Sequence, residues 1–326
     1  MRIDLHTHSA VSDGTDAPAE LVAAAGRAGL EVVALTDHDT WDGWDEAQRA
    51  GERLGVEVWP GLELSAHELF AGEQRAVHVL GYGVDPSDRE LGGLLERVRQ
   101  GRRQRIPKMV AGLNRLGLEL TVEEVMALAG TGVVGRPHLA DAMIARGYVA
   151  HREEAFDRWL RDDGPLVVHR LTPSTEQAVA AIRAAGGAAV LAHPWGRGAA
   201  RWLTPNRIEQ LARDHGLAGL EADHLNHDVA QRAALRRLAE RLGLLVTGSS
   251  DYHGTGKRNF PLGAHTTAPE VYAELRCRAG SHRRTVGRAA GVYGGPGRPR
   301  GTGPDDDTRL MTQGETDESD RDRRRG

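Results

Sequence analysis

The sequence predicts an α/β fold, a seven-stranded barrel of alternating strands and helices interrupted by a helical insertion. Three observations lead there. Seven short apolar runs alternate with helix-like stretches, the pattern of repeated strand–helix units and a mostly parallel sheet, open or closed. His, Asp and Glu residues recur at or near the C-terminal ends of these runs, which favours a closed barrel, where chemistry sits at that rim. Residues 86–165 lack strands and carry helical patterns instead.

The first run is Ile3–His6. A helix follows over Ala17–Ala28, with Asp16 as N-cap and Pro18 in its first turn. Val32–Thr36 is the second strand and Trp41–Leu54 the second helix. Val56–Leu64 and Val77–Tyr82 complete a first barrel part, residues 1–85. Arg97–Leu116, Thr121–Leu128 and Pro137–Arg146 read as the helices of the insertion, and a strand-like LVVH at 166–169 leads back to the barrel. The second barrel part, 166–282, holds the strands Ala188–Ala192, Leu217–Ala222 and Leu244–Gly248. Its helices Leu203–His215 and Val229–Leu242 show apolar residues at i, i+3 and i+4. Residues 283–326 are rich in Gly, Pro and charge, and cannot offset their ordering entropy, so a disordered tail is expected.

Bulk properties narrow the function. The chain has 326 residues, 40% of them hydrophobic, and a net charge of −4, which gives stable duplex DNA binding no support. The single cysteine, Cys277, excludes an intramolecular disulfide and a cysteine-type zinc site. The N-terminus MRIDLHTHS has no signal h-region, and no apolar run reaches the ~18 residues of a membrane span. A soluble cytoplasmic protein is expected. Lys108 and Lys257 are the only lysines, so chemistry that needs a lysine has few places to occur.

Residues two apart in a strand point to one face, so His6 and His8 converge. The second strand ends in TDHD around His38, and the third ends in GLELS with Glu63. The fourth carries His78, the fifth ends in LAHP with His193, and the seventh ends in GSSDYH with Asp251 and His253. Asp13 lies just past the first strand. Taken singly, His78 and His193 could be satisfied core histidines and Asp13 a turn residue. Nine such groups at one rim are better explained together. Buried imidazoles and carboxylates must be paired or coordinated, and divalent cations serve so many at once. Ligands of nitrogen and oxygen without thiolate suit Zn, Mn or Fe.

The motifs DLHTHSAVSDG, ALTDHDT, GLELS, LAHP and GSSDYH, in this order, resemble those of the PHP family, named for polymerase and histidinol phosphatase. The resemblance runs from residue 1 to about residue 280. It implies a distorted seven-stranded β/α barrel holding two to three metal ions. It also implies a ligand partition: His6, His8, Glu63 and Asp251 on a first ion, Glu63, His78 and His193 on a second, and Asp13, His38 and His253 on a third, with Glu63 bridging. No ligand position is substituted, so an active hydrolase is expected. Its nucleophile would be metal-activated hydroxide, with no protein nucleophile, and the ions would clamp the attacking and leaving oxygens.

GRPH at 135–138 and AFDRWLRDDGPLVV at 155–168 resemble the insertion of the PHP subgroup acting on nucleotides. That subgroup includes nucleoside 3′,5′-bisphosphate phosphatases, AMP phosphatases and 5′–3′ exoribonucleases. The expected partner is a small phosphorylated substrate, a nucleotide or a short oligonucleotide end, with no membrane. Arg136 and His138 would clamp phosphate, since Arg suits bidentate phosphate binding and Pro137 opens a helix whose N-terminus favours an anion. Arg102, Arg105 and His227 are further candidates, and Trp195 and Tyr252 are the aromatic residues placed near the rim. Two alternatives stand beside this reading: a histidinol-phosphate phosphatase, and a non-catalytic metal-binding regulatory module. Amidohydrolase and TatD-like barrels share the opening H-x-H, but the first commonly uses a carboxylated lysine, and Lys108 and Lys257 do not fall at a central strand end, while TDHD and S-D-x-H are not the pattern of the second.

Overall fold

A computed structural model describes residues 1–161 and 164–290, with side chains through residue 280. The seven strands are β1 (Ile3–Thr7), β2 (Val32–Leu35), β3 (Glu57–Phe70), β4 (Glu73–Tyr82), β5 (Ala188–Leu191), β6 (Gly219–Asp223) and β7 (Leu245–Gly248). They lie side by side in chain order. Past the end of β7 the chain returns to β1: the Asp251 N–H donates to His6 O and the His8 N–H to Tyr252 O, which nearly closes the barrel.

Every pairing is parallel except those of β4, which runs against both β3 and β5. The reversal comes from a β3–β4 hairpin that the sequence reading cut short. The two-residue turn Ala71–Gly72 has positive φ at both positions, 52° and 80°, the geometry whose twist matches paired strands. This reversal explains an oddity in the sequence. On parallel strands the polar group follows the apolar residues, but on β4 His78 precedes Leu80 and Tyr82. An antiparallel strand presents its N-terminal part to the rim where the others present their C-termini.

Both faces of the strands are covered. Val33, Leu35, Leu62, Leu64, Val79, Leu191 and Leu220 pack with the surrounding helices in one apolar cluster. These helices include α1 (Pro18–Arg27), α2 (Trp44–Leu54), α7 (Thr175–Ala184), α8 (Pro205–His215) and α9 (Val229–Leu242). Val32, Ala34, Trp59, Leu80, Tyr82, Ala188 and Val190 form a second cluster with Tyr272, Leu275 and Ala279 of α10 (Pro269–Ala290). Within it Trp59 stacks on Tyr82 at 4.8 Å, and the Tyr82 hydroxyl donates to Leu5 O at 2.8 Å. Replacing Tyr82 by Phe leaves that buried carbonyl without its donor, so a loss of about 1–3 kcal/mol is expected in urea unfolding, with no change in fold.

The insertion builds a small core of its own. Ile106, Met109, Val110 and Leu113 of α3 (Arg89–Arg115) meet Val125 of α4 (Val122–Ala129) and Leu139 and Met143 of α5 (Arg136–Ala145). The first turns of α3 belong to the barrel, where Leu91, Leu95 and Val98 join the helical layer. Next come α6 (Arg152–Ala155) and a π-helical turn, Phe156–Leu160. The LVVH segment is not a strand: Leu166 and Val168 pack into the insertion core instead of pairing with a sheet edge. Helix α10 continues to Ala290, into the stretch expected as a tail, and residues 291–326 lie outside the described residues. Among the described residues no helix is long and apolar enough to cross a membrane.

Candidate metal centre

One strand face carries the apolar residues of the second cluster, and its register continues upward into polar groups. On β2 the series Val32, Ala34 leads on to His38, on β3 Trp59 leads to Glu63, and on β6 Gly219 leads to Glu221. All of these polar groups are buried. Glu63 is the hub. Its Oε2 lies 3.3 Å from His6 Nε2, 3.1 Å from His8 Nε2 and 3.0 Å from His38 Nδ1. Its Oε1 lies 2.8 Å from His78 Nδ1 and 3.2 Å from His193 Nε2. Asp251 Oδ1 approaches His8 Nε2 at 3.5 Å and His253 Nδ1 at 3.4 Å. Asp13 meets His253 Nε2 at 3.3 Å and His38 Nε2 at 3.6 Å.

The structure therefore brings together all nine residues singled out for metals. Among the described residues four groups have ligand atoms within 4.8 Å of one another: His8, Asp13, His38 and His253; His6, His8 and Asp251; His6, Glu63 and His193; and His38, Glu63 and His78. Divalent cations fit this donor set on a physical test. His38 Nδ1 and His78 Nδ1 are buried and have no hydrogen-bond partner among the described residues, although each stands within 3.0 Å of a Glu63 oxygen. Nitrogens that stand beside a carboxylate in this way are placed where they could share an ion with it.

Burial works to raise the Glu63 pKa, yet the neighbouring imidazoles, His78 first, hold it well below the usual carboxylate range. Burial pushes His193 down to about 3 and His38 well below its ordinary value, which favours their neutral, ligating form. His6 shifts the other way: against burial, Glu221, Glu63 and Asp251 hold it well above its ordinary value. Three residues at the rim have left-handed backbones: Asp39 (φ 54°), His193 (φ 30°) and Asp251 (φ 53°). Such strain in non-glycine residues is retained where the surroundings fix it, typically at functional sites.

The loop that carries Asp13 depends on Gly14. A Cβ there would collide with the His8 carbonyl, so the chain must shift to accept any side chain. Gly14→Ala is expected to displace Asp13 and raise the Mn²⁺ concentration needed for half-maximal activity about 10- to 100-fold, the scale of damage to a ligand's support. A manganese titration of activity checks this.

Several site residues went unread in the sequence. Glu221, fully buried, accepts from His6 Nδ1 at 2.9 Å and from the His193 N–H at 2.7 Å, and so orients two candidate ligands. His224, also buried, lies 3.1 Å from Asp251 Oδ2 through Nε2. Asp37 accepts from Ser9 and Ser12 beneath the Asp13 loop. Lys257 pairs with Asp251 and stands over the Phe260 ring at 3.8 Å. Glu221 follows the inward register of β6 and could have been found from it. His224 lies in the same EADHLNHD stretch as His227, the histidine singled out there.

The proposed substrate residues divide. Arg136 and Arg105 line the cavity above the metal centre, with Arg136 anchored on Leu160 O at 2.9 Å. Arg102 reaches the cavity wall, but its Nε donates to Asp39 Oδ2 at 2.6 Å and its Nη2 to Ser65 Oγ at 2.9 Å. His138 is turned inward: its Nδ1 accepts from the Gly135 N–H at 3.0 Å. His227 braces the wall, with Nδ1 on Ala222 O at 2.9 Å and Nε2 accepting from the Trp195 N–H at 3.1 Å. Trp195 donates to Leu203 O, and Tyr252 donates to Asp16. The aromatic residues that do line the cavity are Phe156, Trp202 and Phe260.

The cavity has a volume of about 850 Å³. Its floor is the metal centre, through Asp13, His38, Glu63, His78, His193, Asp251 and His253. Its walls are rich in arginine on both sides, with Arg105, Arg136 and Arg161 from the insertion and Arg75, Arg170 and Arg201 from the barrel, and Glu153 and Asp157 stand among them.

A model of the PHP domain matches residues 4–135. Over 253 residues the chain is 34% identical to a phosphoribosyl 1,2-cyclic phosphate 1,2-diphosphodiesterase from Eggerthella lenta, covering 77% of this chain and 94% of that protein. The chain belongs to the PHP family. It is also 32% identical to a 3′,5′-nucleoside bisphosphate phosphatase from Chromobacterium violaceum, across 85% of this chain and 97% of that one. A solved structure from Bifidobacterium adolescentis, described as a candidate metal-dependent phosphoesterase, superposes with a TM-score of 0.79 at 36% identity, covering 85% of this chain and 96% of the other. This PHP protein is accordingly a metal-dependent phosphoesterase and a hydrolase, and the regulatory-module alternative falls away.

Proposed function

We propose that this PHP protein hydrolyses the phosphomonoester of a nucleotide, with a nucleoside 3′,5′-bisphosphate as the first choice of substrate. The observation that carries the reading is the cavity: a floor of metal ligands under walls lined by arginine from both the insertion and the barrel. A bisphosphate has one phosphate to present to the floor and a second to pair with the walls, where Arg offers bidentate contact. The aromatic edge of Phe156, Trp202 and Phe260 suits a base.

His6, His8, Asp13, His38, Glu63, His78, His193, Asp251 and His253 would hold two to three divalent ions. Bound there, such ions supply Lewis acidity and lower the pKa of a water. The chain's own residues do the rest. Glu221 and His224 fix the ligands His6 and Asp251 in place. The arginine walls neutralise the phosphate dianion and hold it against the floor. The lone cysteine, Cys277, is exposed on α10 and plays no part in this arrangement.

The relative from Eggerthella lenta favours a second reading, hydrolysis of a cyclic phosphodiester. Phosphate release from a panel separates the two: nucleoside 3′,5′-bisphosphate, AMP, a short 5′-phosphorylated RNA, a phosphoribosyl cyclic phosphate and histidinol phosphate, each with Mn²⁺ or Zn²⁺. The bisphosphate is expected to give the highest kcat/KM. Preference for the cyclic ester would install the second reading, and preference for histidinol phosphate would overturn both.

A further inference from the structure

Arg152 opens α6, the helix that follows the insertion core, yet the residue is only 9% exposed and its side chain reaches across to the barrel. Its Nε and Nη2 donate to the two oxygens of Asp141 on α5, both at 2.6 Å. Its Nη1 donates to the backbone carbonyl of Asp13 at 2.7 Å. The guanidinium also fills the space beside Gly256, where a Cβ would collide with it. Gly256 belongs to the turn that follows His253, and its N–H donates to His253 O at 3.2 Å. The same carbonyl accepts from the Thr15 N–H at 3.2 Å, which joins the Asp13 loop to the His253 turn. Arg152 therefore stands at the seam where two members of one ligand group, Asp13 and His253, are brought together.

We infer that Arg152 is a positioning residue that couples the insertion to the ion position formed by Asp13, His38 and His253. The bidentate pair with Asp141 fixes the guanidinium plane, and the plane fixes the Asp13 carbonyl. A buried, fork-shaped donor set of this kind gives geometric specificity as well as energy. Lysine offers no fork and would hold only one of the two partners. Coupling of this kind is reciprocal: if the packing of α5 and α6 raises affinity for the ion, the ion must tighten α5 and α6 by the same free energy. The inference rests on the metal-centre reading but not on the choice of substrate.

Calorimetric titration of the metal-stripped full chain with MnCl₂ tests it, on wild type, Arg152→Ala, Arg152→Lys, Asp141→Asn and Gly256→Ala. One Mn²⁺ step is expected to lose about 10- to 100-fold in affinity in Arg152→Ala, the scale for a ligand's support. The other steps should stay unchanged, and Arg152→Lys should restore little. Hydrogen exchange supplies a second readout. Mn²⁺ should slow exchange over residues 136–155 in wild type and fail to do so in Arg152→Ala. If Arg152→Ala does not fold, Asp141→Asn and Gly256→Ala carry the test, one removing the anchor and the other crowding the guanidinium. Unchanged affinity at every step in the folded variants, with protection of 136–155 retained, would overturn the coupling alone. Absence of Mn²⁺ binding by wild type would overturn the metal-centre reading and the coupling with it.

Discussion

Glu63→Gln is expected to lower kcat by about 10³-fold or more at saturating Mn²⁺, while the far-UV circular dichroism of the metal-free protein stays that of wild type. The magnitude follows from the position of the carboxylate. Its two oxygens face five imidazoles, three on one side and two on the other. An amide keeps the shape but presents an N–H₂ group to nitrogens that need an acceptor or a shared ion, and it removes the negative charge that would bridge two cations. Loss of metal-based stabilisation worth several kcal/mol converts to about three powers of ten, at 1.36 kcal/mol each. Asp251→Asn and His8→Ala belong to the same expectation, because each removes a member of the same cluster. Steady-state kinetics on the metal-replete variants decides the matter. Turnover within tenfold of wild type in any of the three would remove the cluster from the chemistry.

Much of this cluster was legible in the sequence because its candidate ligands obey strand register. His6 and His8 share a face by period two, and His38, Glu63, Asp251 and His253 lie near strand ends, where motif and geometry agree. All seven strands were placed. What escaped was the part fixed by partners distant in sequence. The β3–β4 hairpin depends on a two-residue turn inside a run that carries His67, Glu68, Glu73 and Arg75 and so reads as loop. LVVH has the composition of a strand but no sheet edge to pair with, and Leu166 is claimed by the insertion core. His224 and Arg152 carry no local signal of their importance, and Glu221 carries only its register on β6. Their roles come from His6, Asp251 and Asp13, which lie far from them in the chain.

Arg102 is the residue whose meaning changed most between sequence and structure, and its replacement carries the other large effect. The sequence places it among the further candidates for substrate binding. In the fold it is 5% exposed and pairs with Asp39, which is itself fully buried and held at φ 54° between the ligand His38 and the helical layer. Burial pushes the Asp39 carboxyl up, but Arg102, and after it Arg170, bring it down to about 2. Arg102→Ala strands that carboxylate. Removing one partner of a buried pair costs about 3–5 kcal/mol, and Arg170, 3.8 Å from Asp39 Oδ2, offsets part of it, so a value near the lower bound is expected. At about 2–4 °C per kcal/mol, thermal unfolding should begin roughly 6–12 °C earlier at pH 7. The sign of the pH dependence follows from the depressed carboxyl. Its contribution in wild type is complete above the ordinary carboxylate range near 4 and is lost as pH falls toward 2. The gap between wild type and variant should therefore narrow between pH 5 and pH 2.5 in urea unfolding of the metal-free proteins. Because Arg102 directs Nε and Nη2 to Asp39 and Ser65, KM for the preferred nucleotide should move by less than threefold in Arg102→Lys, where the charge remains. A large rise in KM with unchanged stability would return Arg102 to the substrate wall.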